Sequence, residues 1–556
     1  MLAEKWPQWT SEIRDESVVG EDQLGIAGAA QSYQQDILPG IITVTDHARY
    51  YSLYAWILYR FIQDENSSRL LKDFRGKYFR RHEVALIIGA FSHHMDNQLL
   101  TGVVGSGLNS SGARNYWESS DVISLEQNYF INRLGGFGQY YRTAMENMGI
   151  VEEPEKPYWV YRLTDRGKLL AEAYQNSIKH TKYFQKLALP GDLETITRID
   201  AIEYGQAGCL CNDALQFGED RKPLLDSFFR FEEAQDFNNQ HVRRRNSLGV
   251  ALDIVKMANG EFITDMLRPA LYLGEYKAGM FYKPSSELTE WAQRWQMVEV
   301  RHLYTFGIQC MWAAFLLELK EKLFITREEW DEWILSILNK QNWNLKFTDF
   351  IEKLCHDAGL KGNLIQLKQS VKLEFTLKSG LDEYSLYLKA LGHNGDSQSL
   401  LLTGIAILSQ LYLRYFPVYS LDNEIWRSMA TRERLPLNDY WLKVSQFIGS
   451  ENLTLMDWIK WIFQEYIFEQ HEMIALEKYR SYDTFKFYYE QGVFNWPTGK
   501  KPYQEPIRLA ANRIDNCLSM LIDLGLVNKK KDGKLELSAE GEEYHNLVIR
   551  GLSGGI

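Results

Sequence analysis

Between about Leu187 and Asn495, apolar residues return every three or four positions, through Thr195 to Phe217, Lys222 to Phe231, Ser247 to Met257, Glu287 to Leu323 and Ser399 to Tyr415. That spacing lines one face of an α-helix, and the alternation of a half-buried strand is nearly absent over the same stretch. The middle of the chain is therefore expected to be a helical array. No motif recurs at a fixed short period, so a solenoid is not expected.

The two flanks carry a different pattern, and they carry it twice. From Arg508 to Leu524 an apolar helical face is stopped by Leu524-Gly525-Leu526-Val527; a basic turn from Asn528 to Lys534, a short strand at Leu535 to Leu537, and Ser538-Ala539-Glu540-Gly541 opening a helix then follow. Much earlier, Tyr141 to Met148 runs into Gly149-Ile150-Val151, a turn at Glu152 to Pro157, a strand at Tyr158 to Leu163, then Thr164-Asp165-Arg166-Gly167 and a helix. Each segment reads as a winged helix. The expected fold class is mainly α: a multi-helix array with one or two small winged-helix (α+β) modules. The expected division is an N-terminal helical domain at 1–115, a winged-helix-like module at 116–180, a central array at 181–495 and a closing winged-helix module at 496–556, with Trp496 to Pro502 as linker.

With 556 residues, 45% hydrophobic and 24% charged, the chain has the composition of a globular protein with roughly three or four units. A formal charge of −11 is not the footprint of a nucleic-acid coat, so any nucleic-acid contact must be local. Five scattered cysteines argue for a reducing compartment. Only Cys209-x-Cys211 is close-spaced, with no thiol or histidine pair near it in sequence, so no metal site is expected. The N-terminus lacks an apolar run behind a basic start, and the longest apolar stretch, Tyr304 to Leu319, falls short of the roughly 20 residues of a membrane span. A cytoplasmic location without membrane contact is expected. A phosphate-binding glycine loop and a Gly-x-Ser-x-Gly elbow are both missing, which weakens the ATPase and hydrolase classes; no cofactor is expected.

The first strongly apolar helix is expected from Asp46 to Phe61, capped by Thr45 or Asp46 and buried. His47 and Arg49 at its start suit either an anion or, as the favoured reading, nearby carboxylates. The basic run from Arg75 to His82 reads as a solvated helix start rather than a phosphate contact, and His93-His94 as core histidines. In the earlier module Gln139, Tyr140, Arg142 and Thr143 stand where a recognition helix meets bases, but Glu152, Glu153 and Glu155 make its wing acidic, favouring a structural or protein-binding role. Arg243-Arg244-Arg245 is a helix-end patch or a phosphate contact.

Two places invite an enzymatic reading. Asp265 followed by Glu275-Tyr276-Lys277 has the order of a PD-(D/E)xK nuclease, whose carboxylates hold Mg²⁺ while the lysine steadies the attacking water. Such chemistry needs adjacent strands, and Ile263 to Tyr272 reads as helix. Glu299 and His302 share a helix face and suit an acid and base or, as preferred, a buried ion pair. For nucleic acid the closing module is the best candidate: Arg508, Asn512, Arg513 and Asn516 share a helix face, and Lys529, Lys530, Lys531 and Lys534 populate the wing.

Leu38-Pro39-Gly40-Ile41, Thr45, Arg49-Tyr50-Tyr51-Ser52, Trp291, Arg301-His302, His471, Asp483-Thr484-Phe485 and Leu524-Gly525-Leu526 together resemble large uncharacterised prokaryotic proteins found among anti-phage defence genes. The resemblance implies a subunit of a multi-protein immunity system, beside an ATPase or nuclease encoded by another gene. The expected role is a non-catalytic DNA-sensing or scaffold subunit, with protein partners and double-stranded DNA as ligands. A Mg-dependent nuclease and a winged-helix transcriptional regulator are the alternatives.

Overall fold

The computed structural model describes residues 22–63, 79–94, 100–104, 120–125, 135–153, 161–187, 194–357, 376–392, 395–415, 423–432, 434–478, 485–497 and 509–553. The chain is mainly helical with small antiparallel sheets. Among the described residues no helix is long and apolar enough to cross a membrane. Two compact units emerge. One, here the module unit, comprises Tyr33–Tyr276, Met280–Trp295 and Ala511–Ile556; the other, the array unit, comprises Met1–Ser32, Lys277–Gly279 and Gln296–Ala510.

The module unit holds both flank patterns, and they are built alike to the level of single hydrogen bonds. In the first, a π-helical turn Phe137–Tyr141 leads into helix Arg142–Met148, the strands Val151–Glu152 and Arg162–Leu163 pair antiparallel, and helix Asp165–Ile178 follows. In the second the elements are helix Arg513–Asp523, strands Val527–Lys529 and Leu535–Leu537, and helix Ala539–Leu552. Each first helix ends at a glycine in the left-handed region, Gly149 at φ +68° and Gly525 at φ +73°. The next residue donates back five positions, Ile150 to Met145 O at 2.9 Å and Leu526 to Leu521 O at 3.0 Å, which closes a Schellman motif. Each last helix is capped by a hydroxyl that accepts from the third residue on, Thr164 from Gly167 and Ser538 from Gly541, both at 3.0 Å.

The glycines of these caps are there for space. A Cβ on Gly167 would stand 2.2 Å from Ile150 O, and one on Gly541 would stand 2.0 Å from Leu526 O. The stop of the first helix thus lies directly on the start of the last. Thr/Ser-x-x-Gly is a packing requirement as well as a cap.

Helix Arg49–Gln63 is the spine of the module unit; Leu53 to Leu58 have no more than 0% exposure. It starts three residues later than the sequence suggests, because Thr45 Oγ1 accepts from Ile42 N and donates to Ile42 O, closing a turn before the helix. Arg49 forms a buried two-bond pair with Asp220 (3.0 and 3.1 Å), and His47 pairs with Asp523 at 2.9 Å, so both contact carboxylates. His82, on helix Phe79–His93, meets Tyr183 Oη at 2.6 Å, and burial pulls its pKa down to about 3 with help from Arg60 and Arg81. Asp253, on helix Gln240–Met257, accepts from Tyr282, from the hydroxyl and amide of Ser285, and pairs with His545.

The array unit packs helices Arg327–Lys340, Phe347–Asp357, Glu383–Gly392, Ser397–Tyr415, Leu437–Ile448 and Glu469–Lys478 with most of Thr289–Lys322. Thr326 and Glu329 form a capping box at the start of Arg327–Lys340. Within this unit a three-stranded sheet interrupts the helices, with Val493–Asn495 between Phe324–Thr326 and Tyr488–Glu490. Strands of three residues are too short to show a period in the sequence.

Candidate functional site

The closing module places the predicted contact residues in two environments. Asn512 is 1% exposed and caps its helix by accepting from Ile514 N at 3.2 Å. Arg513 donates from its backbone to Gln34 Oε1 at 2.7 Å and from Nη1 to Ile41 O at 3.3 Å. Asn516 donates to Asp46 Oδ1 at 2.8 Å. The helix face expected to meet nucleic acid therefore meets residues 34 to 46 of its own chain. A helical wheel shows which side chains share a face, but not what covers it. Arg508 lies outside the described residues.

The hairpin is more open. Lys530 pairs with Glu536 at 2.5 Å and Lys534 with Glu261 at 3.0 Å, while Lys529 and Lys531 are exposed and make no ion pair among the described residues. The contact with Glu261 raises the pKa of Lys534. In the earlier module Gln139 and Tyr140 are half-buried, Arg142 and Thr143 are exposed, and so are Glu152 and Glu153; Glu155 lies outside the described residues.

The nuclease candidates occupy unlike surroundings. Asp265 is exposed on the single turn Thr264–Met266, which runs into helix Leu267–Leu273; Pro269 fits there because its missing N–H falls in the first helical turn. Glu275 is 2% exposed and Lys277 is exposed on strand Glu275–Lys277, which among the described residues pairs with Met280–Phe281 in a two-stranded sheet. Glu299 and His302 are both buried, 3.6 Å apart.

The arginine run is turned inward. Arg244 donates to the carbonyl oxygens of Ser227 (2.8 Å) and Phe228 (2.9 Å), and Arg245 to that of Arg230 (2.6 Å). Ser227 and Phe228 lie in the last turn of helix Arg221–Phe229 and Arg230 caps its end, so these carbonyls stand at the negative end of its dipole. His241 sits between Arg244 (3.0 Å) and Arg230 (2.9 Å); burial and these two cations pull its pKa down to about 3.

One constellation escapes sequence reading. His93 and His94 end helix Phe79–His93 and its following turn, and Cys209 and Cys211 flank the bend between helices Arg198–Gly208 and Asn212–Gln216. The two helices cross where Gly89 meets Gly205: a Cβ on Gly205 would stand 2.0 Å from Gly89 O. That crossing brings His93, His94 and Cys211 into one group whose ligand atoms all lie within 4.8 Å of one another. Cys209 Sγ is 3.5 Å from His94 Nε2. Hydrogen bonds from Cys209, the Ala214 amide and His94 lower the pKa of the Cys211 thiol. The signals were the pairs His-His and Cys-x-Cys, separated by more than a hundred residues.

The array unit has a cavity of about 260 Å³ walled by Phe468, Phe485, Phe487, Tyr488, Tyr489 and Phe494. It is smaller than the roughly 300–1,000 Å³ usual for a small-molecule site. His471 at its wall accepts from Lys486 N at 3.1 Å, and burial holds its pKa down to about 4. No protein-family model, no curated protein and no solved structure matches the chain.

Proposed function

We propose that the chain is a non-catalytic scaffold subunit of a prokaryotic anti-phage defence complex, and that its two helix–hairpin–helix modules are winged helices used for docking. Membership of a defence system rests on the sequence resemblance alone. The scaffold role is carried by one observation: the closing module's would-be recognition helix is held along Arg513 and Asn516 by its own chain. A helix so covered cannot enter a major groove without giving up those contacts.

What remains for nucleic acid is the hairpin. Lys529 and Lys531, joined by Lys530 and Lys534 from surface ion pairs of little worth, suit phosphates of duplex DNA and carry no base readout. The test is anisotropy of labelled duplex DNA, single-stranded DNA and RNA over a salt series, with Mg²⁺ and product analysis. The expected result is weak binding without sequence preference, with a log–log salt slope of about −2 to −4 for two to four phosphate contacts, abolished by Lys529→Glu/Lys531→Glu. Sequence-selective binding by a dimer would assign a regulator instead, and Mg²⁺-dependent cleavage lost in Glu275→Gln would assign a nuclease.

A further inference from the structure

We propose that His93, His94, Cys209 and Cys211 form a structural metal site of the His₂Cys₂ class, taking Zn²⁺. The proposal is independent of any nucleic-acid role. A tetrahedral Zn²⁺ binds sulfur at about 2.3 Å and imidazole nitrogen at about 2.0 Å, which holds neighbouring ligand atoms roughly 3.3 to 3.8 Å apart. Cys209 Sγ and His94 Nε2, at 3.5 Å, already have that separation. The ligand atoms of His93, His94 and Cys211, within 4.8 Å of one another, need to close by no more than about 1.0 to 1.5 Å to reach it.

The surroundings favour an ion over a chance meeting of core residues. Ala90, Ala214 and Leu100 pack against the two thiols and offer no charge or hydrogen bond from their side chains. Among the described residues neither His93 nor His94 makes an ion pair, and the two imidazoles stand edge to face with centroids 4.8 Å apart. Two thiolates and two neutral imidazoles would cancel the charge of a divalent ion, so the occupied centre is neutral and suits burial, with Cys209 at 0% and Cys211 at 7% exposure. Soft sulfur with imidazole selects zinc over magnesium or calcium, and four protein ligands leave no open position for water, which makes the site structural.

The backbone around the ligands is held as an outer shell would be. Arg49 Nη1 donates to Cys209 O at 2.8 Å, and Arg49 is itself fixed by Asp220. The ion would thus clamp the Gly89–Gly205 crossing to the helix that forms the spine of the module unit. On binding, each thiol loses its proton to solvent and each sulfur gains a metal bond; no electron is transferred.

The experiment uses the full chain, desalted after purification, with metal content by elemental analysis and with Co²⁺ as the spectroscopic probe. About one zinc per chain is expected, and the Co²⁺ form should show tetrahedral ligand-field bands with a thiolate-to-cobalt charge-transfer band. Cys211→Ser and His94→Gln should each drop the stoichiometry to near zero, while Cys355→Ala, at a buried thiol of the array unit, should leave it unchanged. Should the first two variants fail to fold, alkylation of the wild type decides: Cys209 and Cys211 should be protected until a chelator is added, whereas equal reactivity with and without chelator overturns the site. A wild type without zinc and without the cobalt charge-transfer band overturns it as well.

Discussion

The contact between the closing module and the chain ahead of helix Arg49–Gln63 should weaken in alkali through one histidine. His47 Nδ1 lies 2.9 Å from Asp523 Oδ2 and its Nε2 lies 2.7 Å from Thr101 O. Two acceptors call for two N–H donors, which only the imidazolium has. Burial alone would lower the pKa; the charge and hydrogen bond of Asp523 outweigh it and raise the value from 6.5 to about 9. The folded protein therefore holds this proton more tightly than the unfolded chain. The stability it confers is complete below pH 6.5 and is lost as the pH climbs through about 9. At about 1.4 kcal/mol per pH unit the window is worth on the order of 3 kcal/mol. For a unit of about 300 residues, at about 2.1 cal/mol/K of unfolding entropy per residue, 1 kcal/mol moves the melting temperature by about 1.6 °C, so the step is roughly 5 °C. Thermal melts of the wild type and His47→Gln across this window measure it directly. The gap between the two proteins should shrink as the pH rises; a gap of constant size would refute the charged, doubly donating His47.

Gly541→Ala should destabilise by about 3 kcal/mol or more, because its Cβ would stand 2.0 Å from Leu526 O, whereas Gly533→Ala, with open space and φ +81°, should lose only about 1–2 kcal/mol. Equal losses in urea unfolding would show that the two helix ends do not touch. Asp220→Asn strands the buried Arg49 and should lose about 3–5 kcal/mol, most of it recovered in Arg49→Met/Asp220→Leu if the loss is an uncompensated charge. Burial alone would raise the pKa of Asp253, but the bonds from His545, Ser285 and Tyr282 outweigh it and hold it below 3.8. Its contribution is present above 3.8 and lost as the pH falls below that, and Asp253→Asn should flatten the acid limb of the unfolding curve.

What could be read from the sequence was what is local. The helix stop and the cap of each module depend on residues within five positions of one another, so Gly149 with Thr164-x-x-Gly167 and Gly525 with Ser538-x-x-Gly541 announced the same construction twice. The helical periods of the array were legible for the same reason. What covers a face was not: Arg513 and Asn516 looked like a basic surface, and Arg244 and Arg245 like a charged patch, yet their partners are carbonyls and side chains elsewhere in the chain. The His-Cys group needed the crossing of two helices to exist at all. Strands such as Tyr488–Glu490 and Val493–Asn495 pair over three residues, too few for a pattern to form.

Three histidines of the module unit, His47, His82 and His241, are wired in opposite senses. His82 and His241 are folded in the neutral form with values near 3, so acidification from 6.5 downward rewards the unfolded chain, which takes up the protons they refuse. His47 is folded in the charged form, so alkalinisation from 6.5 upward rewards the unfolded chain in its turn. Both slopes start from the ordinary pKa of imidazole. What these three side chains contribute is therefore greatest near neutrality and falls away on either side of it.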